Sequence, residues 1–147
     1  MFKPILVYLI ASFFGHIIWE IGHLPLYTLW YEESFITKAL SILHCTFGDL
    51  LIAFFSLVIS IVLLGRHKWP TGRFRIVGVF TLIFGLSYTI FSEWLNVSVR
   101  QSWAYNDYMP LVPPFDTGLT PLLQWIVIPS LALFFAKTTY VKATSSS

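Results

Sequence analysis

The fold is decided by residues 39–64, which read ALSILHCTFGDLLIAFFSLVISIVLL and contain one charged side chain, Asp49. A helix needs about 20 predominantly apolar residues to cross the hydrocarbon core of a bilayer. At 26 residues this stretch is long enough to cross with a tilt or to project above the membrane. The sequence therefore predicts a transmembrane helix here.

Three further stretches, residues 5–23, 76–95 and 121–136, have similar composition and predict three more spans. The last contains Pro129, which removes a backbone donor, and we expect a kink there. The predicted fold class is an all-α integral membrane protein, in which residues 1–147 form a single transmembrane domain built as a four-helix bundle.

The overall composition agrees with this class. Of 147 residues, 56% are hydrophobic and only 11% are charged, and the mean hydropathy is +0.75. Soluble globular proteins carry about 25% charged residues. So much apolar surface predicts the lipid bilayer as the partner, and the absence of a basic patch argues against nucleic acid.

Two segments between the spans are neither plain loop nor plain span. Residues 24–31 are apolar but too short to cross, so we expect them to lie at the outer membrane interface. Residues 96–120 form a long loop between helices 3 and 4 that is rich in aromatic residues and prolines. Loops of this length are commonly functional, and this one is interpreted as a lid over the outer end of the bundle.

Orientation is predicted from the lysines and arginines, which favour the cytoplasmic side. One side of the membrane holds seven lysines and arginines, in the N-terminus, residues 65–75 and the C-terminal tail. The other side holds two, in residues 32–38 and 96–120. The seven are Lys3, Arg66, Lys68, Arg73, Arg75, Lys137 and Lys142, and the two are Lys38 and Arg100. Both termini are therefore predicted to be cytoplasmic, and the long loop non-cytoplasmic. Interfacial belts attract tryptophan, and the outer belt is predicted to hold Trp19, Trp30, Trp94, Trp103 and Trp125.

Ionisable side chains inside the spans are expensive and suggest function. His16, Glu20 and His23 are spaced i, i+4, i+7, which places them on one face of helix 1. The neighbouring helices contribute His44, Asp49, Glu93 and Gln124 at a similar depth, in the non-cytoplasmic half. His44 and Asp49 are about 140° apart around their helix, so only one of them can point squarely at the bundle axis.

Two kinds of chemistry fit this cluster. Imidazole and carboxylate groups can ligate a transition metal ion or haem, and the candidate ligands are His16, Glu20, His23 and His44. Alternatively, a carboxylate beside a histidine can exchange protons with a lipid-like substrate such as a terpenoid, a quinone or an acyl chain. The candidate proton-transfer residues are Glu20, His44, Asp49 and Glu93. Candidate substrate-binding or lid residues are Asn96, Arg100, Trp103, Tyr105 and Gln124.

The best hypothesis from sequence is a small membrane enzyme that uses acid/base or metal-assisted chemistry. A third class stays open, in which the chain is a noncatalytic subunit or assembly factor that binds partner membrane subunits. Small residues such as Gly78 and Gly85, which share one face of helix 3, would allow close helix packing in that case.

Overall fold

Of the five α-helices in the described part of the chain, four are long and apolar enough to cross a membrane. The computed structural model describes residues 2–65 and 69–145, and helices account for 80% of it. In chain order the helices are α1 (Phe2–His23), α2 (Leu29–Glu32), α3 (Phe35–Ser60), α4 (Phe74–Glu93) and α5 (Leu119–Ser145). Helix α3 continues into a π-helical turn over Ile61–Gly65, and α4 into another over Trp94–Val99.

Each of the four predicted spans lies inside one long helix together with any π-helical continuation, and these helical segments extend further. Each helix begins two to four residues before the predicted span, because hydropathy marks only the apolar part of a helix. The start of α3 is set by Ser34, whose hydroxyl accepts a hydrogen bond from the backbone of Thr37 at 3.2 Å. Helix α5 continues unbroken through Pro129. Arg66 and Lys68, which enter the charge count above, lie outside the described residues.

The long helices are arranged as a ring of antiparallel neighbours. Helix α1 packs against α3 and α5, and α4 packs against the same two helices from the opposite side. We call the end of the bundle where α1 and α4 finish the loop end, since residues 24–34 and 100–118 make their connections there. This arrangement brings side chains from all four helices to one interior.

The interior is unusual because one face of α1 buries mainly polar side chains. Its buried positions recur every three or four residues: Pro4, Tyr8, Ser12, His16, Glu20 and His23. The large apolar residues of α1, such as Phe14 and Ile18, are exposed instead. A polar interior beneath an apolar surface is the reverse of a water-soluble protein. Together with the four long apolar helices, it indicates a multi-pass membrane protein.

The half of the bundle away from the loop end is closed by apolar packing. Its buried cluster includes Tyr8, Leu57, Trp69, Val77 and Leu133. Small buried side chains, among them Ala53, Ala132 and Ala136, let the helices approach closely in this cluster. This apolar cluster fixes the helices of this half against one another.

The connections at the loop end pack against each other. The backbone of Thr28 donates to the carbonyl of Ala104 at 3.0 Å, and the backbone of Asn106 donates to Leu26 at 3.0 Å. The side chain of Asn106 also donates to the carbonyl of Pro25 at 2.6 Å. Farther along, two short antiparallel strands, β1 (Leu111–Val112) and β2 (Thr117–Gly118), form a hairpin that leads into α5. Residues 100–118 are thereby tied to residues 24–28.

Two sequence predictions need correction at this end. Residues 96–99 belong to the π-helical extension of α4, and residues 119–120 begin α5, so the loop is shorter than predicted. Trp125 does not lie in an interfacial belt, because it is only 1% exposed and belongs to the buried core. Its indole faces the other helices, and composition alone does not reveal that rotation.

Candidate functional site

A cavity of about 780 Å³ occupies the loop-end half of the bundle. Residues of α3 from Thr37 to Phe55 line one side, and residues of α4 from Tyr88 onward line the other. Three lining side chains, Leu51, Phe55 and Tyr88, are also exposed on the surface of the bundle. The cavity therefore opens between α3 and α4, towards the lipid that would surround these helices.

The wall of the cavity is organised around the amide of Gln124, which α5 holds almost fully buried. Its Nε2 lies 2.9 Å from His16 Nδ1, 3.1 Å from Glu20 Oε1 and 2.9 Å from Asp49 Oδ2. One amide group thus connects side chains from α1 and α3. These contacts bring together two predicted proton-transfer residues, Glu20 and Asp49, and two predicted metal ligands, His16 and again Glu20.

The hydrogen count of the amide limits how this cluster is bonded. A glutamine Nε2 carries two hydrogens, so it cannot donate to all three neighbours at once. If it donates to Glu20 and Asp49, His16 Nδ1 can carry a hydrogen and donate to Asp49 Oδ2, which is 3.4 Å away. The other ring nitrogen of His16 is buried and has no hydrogen-bond partner among the described residues. His16 is fully buried and contributes to the site through Gln124, because it is not among the described residues that line the cavity.

Glu20 has a second partner on its own helix. Its Oε2 lies 3.2 Å from His23 Nε2. The other ring nitrogen of His23 lies 3.3 Å from the hydroxyl of Thr120 at the start of α5. Because both of its nitrogens are engaged, the ring of His23 is held in one orientation. The i, i+3 spacing along α1 makes this contact possible, as the sequence pattern indicates.

Glu93 lines the same cavity from α4 and is held by the loop. The hydroxyl of Tyr105 donates to Glu93 Oε2 and accepts a hydrogen bond from the backbone of Gly118 at 3.0 Å. Burial and the nearby charge of Glu93 raise the pKa of Tyr105, and the same two causes raise the pKa of Tyr27 well above its ordinary value. Both phenols keep their protons in neutral solution, so Tyr105 remains a hydrogen-bond donor.

Trp125 separates the polar cluster from the apolar half of the bundle. Its ring centroid lies 5.3 Å from that of His16. On the other side the indole packs directly on the backbone of Gly85, where an added Cβ would overlap the ring. Trp125 is not among the site residues predicted from the sequence. Two features of the sequence could have indicated its role: it follows Gln124 directly, and α4 carries a glycine, Gly85, that can accommodate a large ring.

The remaining predicted site residues lie around the mouth of the cavity. His44 lines the cavity, but its side chain is largely exposed and lies outside the Gln124 contacts described above. Of the two candidates on α3, Asp49 therefore faces the bundle interior. Asn96, Arg100 and Trp103 also line the cavity, near the loop end.

The proposed metal ligands are not brought into one coordination sphere. Within residues 2–65 and 69–145, no group of three or more His, Cys, Asp or Glu side chains is arranged to hold a metal ion. His16 lies near an oxygen of Asp49, whereas His23 lies near an oxygen of Glu20. His44 lies apart from both, at the rim of the cavity. Metal or haem binding stays a prediction from sequence, with no added support from this geometry.

Comparison with known proteins gives no indication of function. No protein-family model matches the chain, and no curated protein or solved structure matches it. The function is therefore inferred from the side chains that line the cavity and from their contacts.

Proposed function

We propose that the protein is a membrane enzyme that transfers protons to and from a lipid-like substrate such as a terpenoid, a quinone or an acyl chain. The observation that carries this proposal is the convergence of His16, Glu20 and Asp49 on the Gln124 amide at the wall of a cavity open to lipid. Small-molecule sites are typically apolar clefts lined by a few convergent polar groups, as this one is.

The chemistry needs groups that can take up a proton and groups that can supply one. Glu20 and Glu93 both line the cavity, and each has a separate partner that orients it, His23 for Glu20 and Tyr105 for Glu93. A substrate in the cavity would lie beside both carboxyl groups. One could then accept a proton from the substrate while the other returns a proton elsewhere, with Asp49 and the histidines redistributing protons between turnovers.

The size of the cavity favours this proposal over a purely structural network. Small-molecule sites enclose about 300–1,000 Å³, and this cavity falls in that range at about 780 Å³. Ion pairs that served only to join helices would be more stable if the space beside them were filled, since packing stabilises membrane bundles. A noncatalytic subunit would have no need of the space, so we favour the enzyme.

We also propose that both termini are cytoplasmic, with the loop end and the mouth of the cavity on the other side. The support is the distribution of lysine and arginine, seven against two. In this orientation the substrate would enter from the non-cytoplasmic leaflet, and the segment 100–118 would cover the loop end of the cavity.

The test compares lipid extracts of cells that express the wild-type protein, Glu20→Gln, Glu93→Gln or the control Glu32→Gln. Glu32 is exposed and lies outside the cavity, so its variant carries the same chemical change away from the site. Untargeted mass spectrometry should find lipid species that wild-type and Glu32→Gln cells convert and that cells with either cavity variant leave unchanged. All four proteins should accumulate as folded species of the same size by gel filtration. Identical lipid profiles for wild type and Glu20→Gln would refute the proposal.

A further inference from the structure

Arg100 is the one lysine or arginine among the described residues that line the cavity. It follows the π-helical extension of α4, where its backbone donates to the carbonyl of Leu95 at 2.7 Å. Its side chain is exposed, and it lines the loop end of the cavity. A guanidinium carries a permanent positive charge with five donors in a planar fork, which suits carboxylate and phosphate groups.

The carboxylates of the cavity do not use this charge. Glu20 pairs with His23, Asp49 lies near His16, and Glu93 accepts from the hydroxyl of Tyr105. Among the residues that the structure describes, no Asp or Glu oxygen lies within 4.0 Å of the Arg100 side chain. Arg100 therefore remains available to an anion from outside the chain.

We propose that Arg100 binds the anionic head group, a phosphate or a carboxylate, of a single-chain amphiphile whose tail occupies the cavity. This inference rests on the proposed function, because it names the substrate class for the same site. A bidentate pair between guanidinium and phosphate or carboxylate is stronger and more directional than a contact between neutral groups.

The shape of the cavity suits an elongated molecule in one orientation. Its lining residues on α3 run from Thr37 to Phe55, a distance of about 27 Å at about 1.5 Å per residue. Near Arg100 the lining is polar and includes Asn96 and Ser102. At the far end it is apolar, with Ile52 and Phe55. The head group would therefore lie at the loop end, and the tail would extend towards Phe55, where the cavity opens between α3 and α4.

The same geometry says where on the substrate the chemistry would occur. Glu93 precedes Arg100 by seven residues on one helix and its extension, a separation of about 10 Å along the axis. Glu20 and Asp49 belong to the cluster around Gln124, deeper in the bundle than Arg100. With its head on Arg100, an amphiphile would present a position along its chain to the carboxyl groups. We therefore expect the reaction to modify the chain and to leave the head group intact.

Lys38 provides a matched control for the test. It is also a cation at the loop end, but it lies over the ring of Trp30, 4.9 Å from its centroid, and does not line the cavity. If Arg100 acted only through the general attraction of positive charge for anionic lipid, Lys38→Gln and Arg100→Gln would have equal effects. A specific head-group site requires that they differ.

The experiment measures binding to the full-length protein in a neutral detergent, with hexadecyl phosphate, hexadecanol and inorganic phosphate as probes. We expect hexadecyl phosphate to bind wild type at least tenfold more tightly than hexadecanol. Arg100→Gln should remove this tenfold preference, Arg100→Lys should retain part of it, and Lys38→Gln should leave it unchanged. Inorganic phosphate should not compete at the concentrations where hexadecyl phosphate saturates.

Three results would overturn the inference. They are equal affinity for hexadecyl phosphate and hexadecanol, equal losses in Arg100→Gln and Lys38→Gln, and competition by inorganic phosphate as strong as that by hexadecyl phosphate. The binding experiment and the lipid-profile experiment can fail separately. If the lipid profiles show no conversion, wild type should still prefer hexadecyl phosphate and Arg100→Gln should still lose that preference.

Discussion

Gly85→Ala should destabilise the bundle at the boundary between its polar and apolar halves. At this position an added Cβ would overlap two ring carbons of Trp125 and lie 3.3 Å from a third. Trp125 is buried and cannot move outward without displacing His16, whose ring lies against it. Inserting a methyl group into such a packed contact typically costs about 1–3 kcal/mol.

Gly78→Ala is the matched control, on the same face of α4 and seven residues earlier. Its Cβ would meet only Leu133 Cδ1, at 3.5 Å, which is an ordinary van der Waals contact. Both substitutions gain the same helix propensity, about 1 kcal/mol for Gly to Ala in a helix interior. The propensity therefore cancels when the two are compared, and Gly85→Ala should be less stable than Gly78→Ala by about 1–3 kcal/mol.

The assay is equilibrium unfolding by SDS in mixed micelles, followed by circular dichroism, with the free energy of unfolding extrapolated to zero SDS. The double variant Gly85→Ala with Trp125→Phe should lose less than the two single variants together, because the smaller ring leaves room for the methyl group. Equal stability of Gly85→Ala and Gly78→Ala would refute the reasoning. So would strict additivity in the double variant, since the two residues would then not be in contact.

Three further predictions concern the site and the orientation. Gln124→Met keeps the length of the side chain but removes the donor shared by two carboxylates. Its free energy of unfolding should therefore fall by about 1–3 kcal/mol in the same SDS assay. An unchanged value would contradict the hydrogen bonds of Gln124. Burial and the charge of Glu93 raise the pKa of Tyr105, so stability that is complete below pH 10.0 should be lost as the pH rises above it. Melting temperatures between pH 8 and 11 should fall less steeply for Tyr105→Phe than for wild type, and parallel curves would count against a buried, protonated phenol. In a cysteine-free background, an impermeant maleimide should label Tyr108→Cys in intact cells and Thr71→Cys only after permeabilisation, and the opposite pattern would reverse the proposed orientation.

Several elements of the fold follow directly from the chain. Peptide groups in hydrocarbon must form hydrogen bonds with one another, so an apolar run of about 20 residues predicts a membrane helix. All four predicted spans lie within helical segments that are long and apolar enough to cross a membrane. Helix ends are harder to predict, because backbone hydrogen bonds continue into polar residues. The extension of α4 to Val99 and the cap at Ser34 depend on local contacts that hydropathy does not report.

The candidate site could be predicted only in part. The i, i+4, i+7 spacing of His16, Glu20 and His23 puts them on one face, and that face is buried. The choice between His44 and Asp49 could not be made, since both lie on α3 and periodicity does not say which direction is inward. Gln124 was selected as a lid or substrate residue, whereas it forms the centre of the cluster.

The amino-acid sequence by itself determined the number of membrane-spanning helices and the presence of titratable groups within them. Both depend on transfer free energies that add along the chain, whatever the arrangement of the helices. Only the tertiary structure decided that Gln124 joins α1 to α3, that Trp125 turns inward against Gly85, and that Arg100 has no acidic partner among the residues that the structure describes. These outcomes depend on the rotation and separation of neighbouring helices, which are set by many small packing contacts between residues far apart in sequence.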